Sequence, residues 1–244
     1  MTQVLSALPL YCERAGDGPW AEPLNVLSSG AFFLAAGVGW MLWRRAGRAD
    51  RPIGWLALAV ALIGCGSLSW HVWRQPWAFA ADVVTAQVFI FAYMALALRR
   101  FFRLGWPLTG AWLAVLAAAT LLARQVIPST ALAGGATDIP ALLALYLMGA
   151  VLVLRARVAL HADMPLTGHA AAASDARHFP ALRAGYALIL AGILFALALA
   201  ARTLDLPFCA QIPVGLHALW HILWAMAAAV LLAAAIRHGP VPAR

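Results

Sequence analysis

The chain has 244 residues, of which 64% are hydrophobic and only 11% are charged, and its mean hydropathy is +0.85. Soluble domains average about 25% charged residues, so this composition excludes an ordinary soluble domain and indicates an integral membrane protein. The formal net charge of +8 comes from basic residues that are all arginine and lie mostly in short runs between apolar segments. We therefore expect lipid head groups, and not nucleic acid, as the anionic neighbours.

Seven apolar stretches are long enough to cross the hydrocarbon core of a bilayer, which takes about 20 helical residues. They predict an all-α membrane protein with one seven-helix domain over residues 1–244 and no soluble second domain. The predicted spans are 24–43, 52–73, 77–98, 106–123, 139–154, 184–201 and 212–236. The segment 155–183, between the fifth and sixth spans, is expected to be the longest loop.

The arginines are distributed unevenly when they are assigned to alternate sides of these spans. Thirteen fall on one side and four on the other, namely Arg14, Arg74, Arg124 and Arg202. Because cytoplasmic loops carry the excess of basic residues, this bias predicts an N-terminus outside and a C-terminus in the cytoplasm. The lack of lysine beside frequent alanine and arginine is typical of GC-rich bacteria, so we expect a multi-pass protein of a bacterial inner membrane.

Polar residues inside three spans form the candidate site. Ser67 and His71 lie four residues apart in the second span, and so do His217 and His221 in the last, so each pair shares a helix face. Asp82 lies near the start of the third span, at the same depth. Three imidazoles with an open fourth position form a catalytic zinc site, and a nearby carboxylate can handle a proton, so this set predicts metal-assisted hydrolysis. Any one of these residues could instead only hydrogen-bond a neighbouring helix.

Acidic residues outside these spans have more ordinary interpretations. The outward stretch YCERAGDGPWAEPLN contains Glu13, Asp17, Glu22 and Asn25, which could offer oxygen ligands to calcium. Alternatively, Glu22 and Asn25 could cap the first span or hydrogen-bond across helices. Asp138 and Asp205 fall at span ends, where we expect solvated caps.

Several motifs, taken in order, resemble those of the alkaline ceramidase family, within the CREST superfamily of seven-span membrane hydrolases. They are YCER with AEPLN, GCGSLSWH followed by Asp82 eleven residues after His71, and HALWH. The resemblance implies that His71, His217 and His221 bind zinc, that Asp82 contacts the water at the zinc, and that Ser67 lines the site. It also implies a membrane lipid substrate, either ceramide or a related N-acyl lipid, whose amide is hydrolysed to a fatty acid and an amine lipid.

The N-terminal motif carries two further implications of this resemblance. The family usually has an acid shortly before the Cys and an Asn shortly after the Glu, and this chain lacks both. The resemblance therefore implies a weak calcium site at Glu13 and Glu22, or none. Family members can pair this Cys with one in a later outward loop, which implies a disulfide between Cys12 and Cys209 and leaves Cys65 as a free, buried thiol.

Two other functions fit the same pattern. The same metal centre could hydrolyse the ester of a phospholipid or lipoprotein lipid. The chain could instead be a non-enzymatic seven-span receptor or a metal carrier. A carrier needs a second polar set in the cytoplasmic half to pass the ion on, and the spans contain none.

Overall fold

The computed structural model describes residues 11–16, 18–48, 50–128, 130–163 and 169–237. These residues form helices and connecting turns, with no β-strand among them. Two short 3₁₀ segments, Ala131–Asp138 and Leu206–Phe208, precede the sixth and eighth helices. The α-helices are α1 (Pro23–Ser28), α2 (Gly30–Arg45), α3 (Arg51–Trp73), α4 (Pro76–Phe101), α5 (Trp106–Val126), α6 (Ile139–Ala162), α7 (His169–Leu204) and α8 (His217–Arg237).

Seven helical segments of the described chain are long and apolar enough to cross a membrane, which confirms the predicted helical fold and number of spans. The helices α1 and α2 together form the first span, and α3 to α8 provide the others. Helices α6 and α7, which provide the fifth and sixth spans, are longer than predicted, because most of the expected loop 155–183 is helical. Hydropathy locates the part of a helix that lipid covers, whereas alanine and arginine, both strong helix formers, extend it beyond that part.

The last helix begins later than predicted, at His217 and not at residue 212. Pro213 lacks a backbone N–H, and Gly215 adopts a left-handed conformation (φ +72°), so the residues before His217 form turns. The first histidine of the candidate site therefore lies at the first residue of α8.

Helix α8 is the centre of the bundle. It packs most extensively on α7 and α2, and it also contacts α1, α3 and α4. Its residues Ala227, Ala228 and Leu232 are completely buried. In contrast, α5 is peripheral, and large apolar side chains such as Leu34 on α2 and Leu154 on α6 are exposed on the outer surface. Exposed apolar surface of this extent is expected where helices face lipid.

A glycine lets α3 and α4 approach each other next to the site. A Cβ atom at Gly66 would lie 2.8 Å from the carbonyl oxygen of Ala81 and 2.9 Å from Cα of Asp82. This contact brings the Asp82 backbone against the helix that carries Ser67.

Cys65 is exposed, so the expectation of a buried thiol was wrong. The core face of α3 is taken by Gly66 and Ser67, and the helical turn directs Cys65 outward.

A buried ion pair connects three elements at the opposite end of the bundle. Nη2 of Arg100, on α4, lies 2.6 Å from Oδ2 of Asp50, and its Nη1 donates to the carbonyl oxygen of Ala235 on α8. The guanidinium is therefore satisfied by one carboxylate and one backbone carbonyl.

Candidate metal centre

The structure brings three buried histidines together at one end of the bundle. Helix α3 contributes His71, and the first two turns of α8 contribute His217 and His221. One ring nitrogen from each lies within 4.8 Å of the others. Two chain segments that are about 150 residues apart in sequence therefore supply a single cluster of metal-ligating nitrogens.

Hydrogen bonds orient two imidazoles of this cluster. Nδ1 of His71 lies 2.5 Å from Oε2 of Glu22, and a neutral imidazole that donates there has its lone pair on Nε2. Nδ1 of His221 lies 2.8 Å from Oγ of Ser28, and the tautomer protonated at Nδ1 likewise has its lone pair on Nε2. The two Nε2 atoms lie 3.2 Å apart. Two nitrogens bound to a tetrahedral zinc ion lie about 3.4 Å apart, so this spacing suits a shared cation.

The third histidine has a nitrogen with no protein partner. Nδ1 of His217 is buried and accepts or donates no hydrogen bond among the described residues. A buried polar atom without a partner costs free energy, which a bound cation would recover. The chemistry of the donor set therefore fits a metal ion that takes imidazole ligands.

Asp205 holds His217 in position from the loop between α7 and α8. Its Oδ1 accepts from the backbone N–H groups of Leu216 (2.6 Å) and His217 (2.9 Å), so it caps the start of α8. Its Oδ2 accepts from the backbone N–H of Cys12 at 2.9 Å. Asp205 is buried, so the expectation of a solvated cap was wrong: it is a cap, but one that also binds the N-terminal segment.

The N-terminal segment covers the histidines. Cys12 and Cys209 form a disulfide, with their Cα atoms 5.4 Å apart, which attaches this segment to the loop before α8. The ring of Tyr11 stacks on the ring of His217, with centroids 3.9 Å apart. Nε1 of Trp70 donates to the Tyr11 hydroxyl at 3.1 Å. Burial raises the pKa of the Tyr11 phenol to about 12, although the charge of Arg202 opposes this shift. The phenol therefore stays neutral against the cluster.

The two glutamates proposed for calcium have protein partners in the structure. The carboxylate of Glu13 accepts from the backbone N–H groups of Leu24 (2.5 Å) and Asn25 (2.9 Å), so it caps α1. Glu22 is fully buried and accepts from His71 and from Nη1 of Arg14 at 2.8 Å. Burial opposes ionisation of Glu22, but hydrogen bonds from His71 and Arg14 hold its pKa below the usual range. The geometry thus favours helix capping and histidine orientation over calcium ligation.

Ser67 contacts both the histidine cluster and the residue between α1 and α2. Its Oγ lies 3.2 Å from Nε2 of His221 and 3.0 Å from Oγ of Ser29, the residue that separates these two helices. Ser29 donates its own hydroxyl to the carbonyl oxygen of Asn25 at 2.8 Å. The hydroxyl of Ser67 therefore lies directly beside the candidate metal position.

A cavity of about 440 Å³ opens beside these residues. Ser67, His221 and Asp82 line it, so the structure places Asp82 on the same cavity as one of the three histidines. Asp138 and Arg202 line it as well. Asp138 is buried, so the expectation of a solvated cap was wrong there too, because the 3₁₀ segment before α6 folds inward against α7. Apolar side chains complete the wall, among them Phe32, Ile63, Phe79, Trp220 and Trp224.

Sequence reasoning did not predict four contributors to this site: Tyr11, Ser28, Ser29 and Arg202. Tyr11 lies next to the cysteine of the N-terminal motif, which was a usable signal in the sequence. Arg202 also had a usable signal, because it is one of only four arginines on the sparsely charged side. The two serines had no such signal, because nothing in the hydropathy pattern marked a break in the first span.

None of the known protein families, characterised proteins or solved structures with which the chain was compared matches it. The interpretation of the site therefore depends on its own chemistry.

Proposed function

We propose that this protein is a zinc-dependent intramembrane hydrolase that cleaves the amide of ceramide or a related N-acyl lipid, releasing a fatty acid and an amine lipid. One observation carries the proposal: three histidines with ligand nitrogens within 4.8 Å of one another lie beside a cavity that also exposes a serine and an aspartate. Metal hydrolases need this combination of imidazole ligands, a proton-handling carboxylate and an oxyanion donor.

Imidazole donors suit zinc, which would polarise the scissile carbonyl and make water a better nucleophile. His71, His217 and His221 would hold the ion. Glu22 would orient His71 and increase its basicity, and Ser28 would do the same for His221 more weakly. Three protein ligands would leave a coordination position for water or substrate.

Asp82 would move the proton that amide hydrolysis requires. It would accept a proton from the attacking water while the water oxygen bonds to the carbonyl carbon, and it would deliver that proton to the nitrogen as the carbon–nitrogen bond breaks. The delivery matters because an amine leaves poorly as an anion. Ser67 would donate a hydrogen bond to the developing oxyanion, a contact worth about 3 kcal/mol where it has been measured.

The cavity suits a lipid substrate. Its wall combines the polar residues of the site with aromatic and aliphatic side chains such as Phe32, Ile63 and Trp224. An acyl chain would pack on this apolar wall while the amide reaches the histidines.

We infer that the site lies near the outer surface of a bacterial inner membrane, with the N-terminus outside and the C-terminus in the cytoplasm. The uneven distribution of arginine supports this orientation. The disulfide between Cys12 and Cys209 also supports it, because such bonds persist in the oxidising periplasm and are rare in the cytosol.

The test is release of palmitate by the purified protein from two lipids that differ only at the scissile bond, an N-palmitoyl amide and the matching O-palmitoyl ester. We expect cleavage of the amide and no cleavage by His217→Ala. Cleavage of the ester alone would identify an esterase with the same metal centre. No cleavage of either lipid by zinc-loaded protein would contradict the proposal and favour a receptor.

A further inference from the structure

We propose that Arg202, together with Arg124, forms an anion-binding subsite in the cavity, so that the preferred substrates are N-acyl lipids whose amine half carries a carboxylate, sulfonate or phosphate group. This inference rests on the proposed amidase activity and adds a head-group preference to it.

The first support is the location of the four arginines on the sparsely charged side. Arg14 and Arg74 face one carboxylate oxygen of Glu22, with Nη1 at 2.8 Å and 3.8 Å respectively. Arg124 and Arg202 line the cavity. Since arginine is disfavoured on this side of the membrane, its retention at four positions around one site indicates local roles. Glu22 lies beside the first two arginines, whereas the other two line the cavity and have no carboxylate oxygen within 4.0 Å among the described residues.

The second support is the way in which Arg202 is held. Its Nε donates to the carbonyl oxygen of Ala133 at 3.2 Å, and its guanidinium lies 5.1 Å from the centre of the Trp220 ring. Both contacts fix the group without neutralising it. Within the described chain, no carboxylate oxygen lies within 4.0 Å of this guanidinium. Its two Nη groups therefore keep hydrogen-bonding capacity for a ligand in the cavity.

The backbone turn that supplies this carbonyl has an unusual conformation. Leu132, Ala133 and Gly134 all have left-handed conformations, with φ values of 57°, 46° and 82°. Non-glycine residues rarely adopt such angles, so two of these positions are strained. The strained turn presents the Ala133 carbonyl to Arg202, and a Cβ at Gly134 would lie 3.6 Å from Nη2 of Arg202.

The charge balance of the cavity also favours an anion. Asp82 and Asp138 oppose Arg124 and Arg202 on its wall, so the side chains alone are balanced. A divalent ion on three neutral imidazoles would add two positive charges. An anionic head group would then offset part of this charge, and guanidinium groups bind carboxylate, sulfonate and phosphate oxygens through paired, charge-assisted hydrogen bonds.

A matched pair of substrates tests this proposal. N-palmitoyltaurine and N-palmitoylethanolamine share the acyl chain, the amide and a two-carbon amine half, and differ in a terminal sulfonate or hydroxyl. Hydrolysis adds water across the carbon–nitrogen bond of each, giving palmitate and either taurine or ethanolamine. We expect kcat/KM to be at least about tenfold higher for the taurine lipid, and Arg202→Gln to lower this ratio by at least about tenfold, as for loss of hydrogen bonds to a charged group.

Arg99→Gln is the matched control. Arg99 also donates to a backbone carbonyl, that of Leu104, and its guanidinium also lies over a tryptophan, Trp106, but it does not line the cavity. This substitution should leave the ratio unchanged. If Arg202→Gln does not fold, Arg124→Gln and Arg202→Lys serve instead, with a smaller fall in the ratio.

Thermal stabilisation of the detergent-solubilised protein by each lipid gives a readout that does not need turnover. Stabilisation by the taurine lipid alone that is lost in Arg202→Gln supports the subsite, even if neither lipid is cleaved. The absence of cleavage would then overturn only the amidase proposal. Equal behaviour of the two lipids in the wild type, in both turnover and stabilisation, would overturn the subsite. An equal loss of turnover and stabilisation for both lipids in Arg202→Gln would also overturn the subsite, because Arg202 would then only balance the charge of Asp138.

Discussion

The two ends of the bundle treat buried polar groups in opposite ways. At one end, Arg100 is satisfied by the carboxylate of Asp50 and the carbonyl of Ala235. At the other end, Nε2 of His71 and Nε2 of His221 lie 3.2 Å apart, and Nδ1 of His217 has no partner among the described residues. A buried polar group without a partner is costly, and a cluster of imidazoles can recover that cost by binding a cation. The contrast separates a structural ion pair from a candidate metal site.

Replacement of an aspartate by asparagine should have different effects at the two ends of the bundle, and we expect the larger effect at the candidate metal site. Asp82→Asn removes the group that would transfer the proton, so we expect kcat to fall by about 10²- to 10⁴-fold while zinc content and folding are retained. Palmitate release and metal analysis on one preparation measure both. Turnover close to that of the wild type would exclude Asp82 as the general base.

Asp50→Asn should instead affect stability. It would leave the buried guanidinium of Arg100 without its counter-charge, which costs about 3–5 kcal/mol of the free energy of unfolding. Denaturant unfolding measures this loss. Turnover per folded molecule and zinc content should not change, and a selective loss of zinc would show that the two ends are not independent.

Two serines on α3 sharpen the comparison further. Ser67→Ala removes the proposed oxyanion donor, so we expect kcat to fall by about 10²- to 10³-fold. Ser69→Ala is its control, because Oγ of Ser69 is exposed and bonds only the carbonyl of Cys65 in its own helix. Steady-state kinetics on both variants test this, and an equal effect of the two would assign Ser67 a packing role.

The smallest effect is expected for the residue behind the metal ligands. Glu22→Gln keeps the size of the side chain but removes the charge that orients His71, so zinc affinity should fall by about 10- to 100-fold. Competition with a chelator measures this affinity. Glu13→Gln is the control, since Glu13 caps α1 and does not contact the cluster. Equal zinc affinity in wild type and Glu22→Gln would contradict the orienting role.

The sequence predicted those features that depend on composition and helical periodicity. Hydropathy gave the seven spans, and the four-residue spacing placed His217 and His221 on one face of α8. It did not predict which partner each imidazole would have. The contact of Ser67 with His221 depends on how α3 packs against α8, and the contact of Glu22 with His71 depends on how the N-terminal segment folds back. No periodicity encodes such a contact.

Burial of the acidic residues could not be predicted for a related reason. Asp138 and Asp205 lie at helix ends, where a carboxylate is usually solvated, and the sequence has no signal that the preceding turns fold inward. The disulfide-linked N-terminal segment covers Asp205, and the 3₁₀ segment that contains Asp138 packs against α7. Both are tertiary contacts between segments that are far apart in the chain.

Metal analysis of the purified protein tests the central claim most directly, because everything proposed for the site depends on the three histidines sharing an ion. We expect one zinc ion per wild-type chain. We expect none in a variant in which His71, His217 and His221 are all replaced by alanine, while Asp50→Asn keeps its zinc. A wild-type protein without a transition metal, or undiminished zinc in the triple variant, would contradict the account.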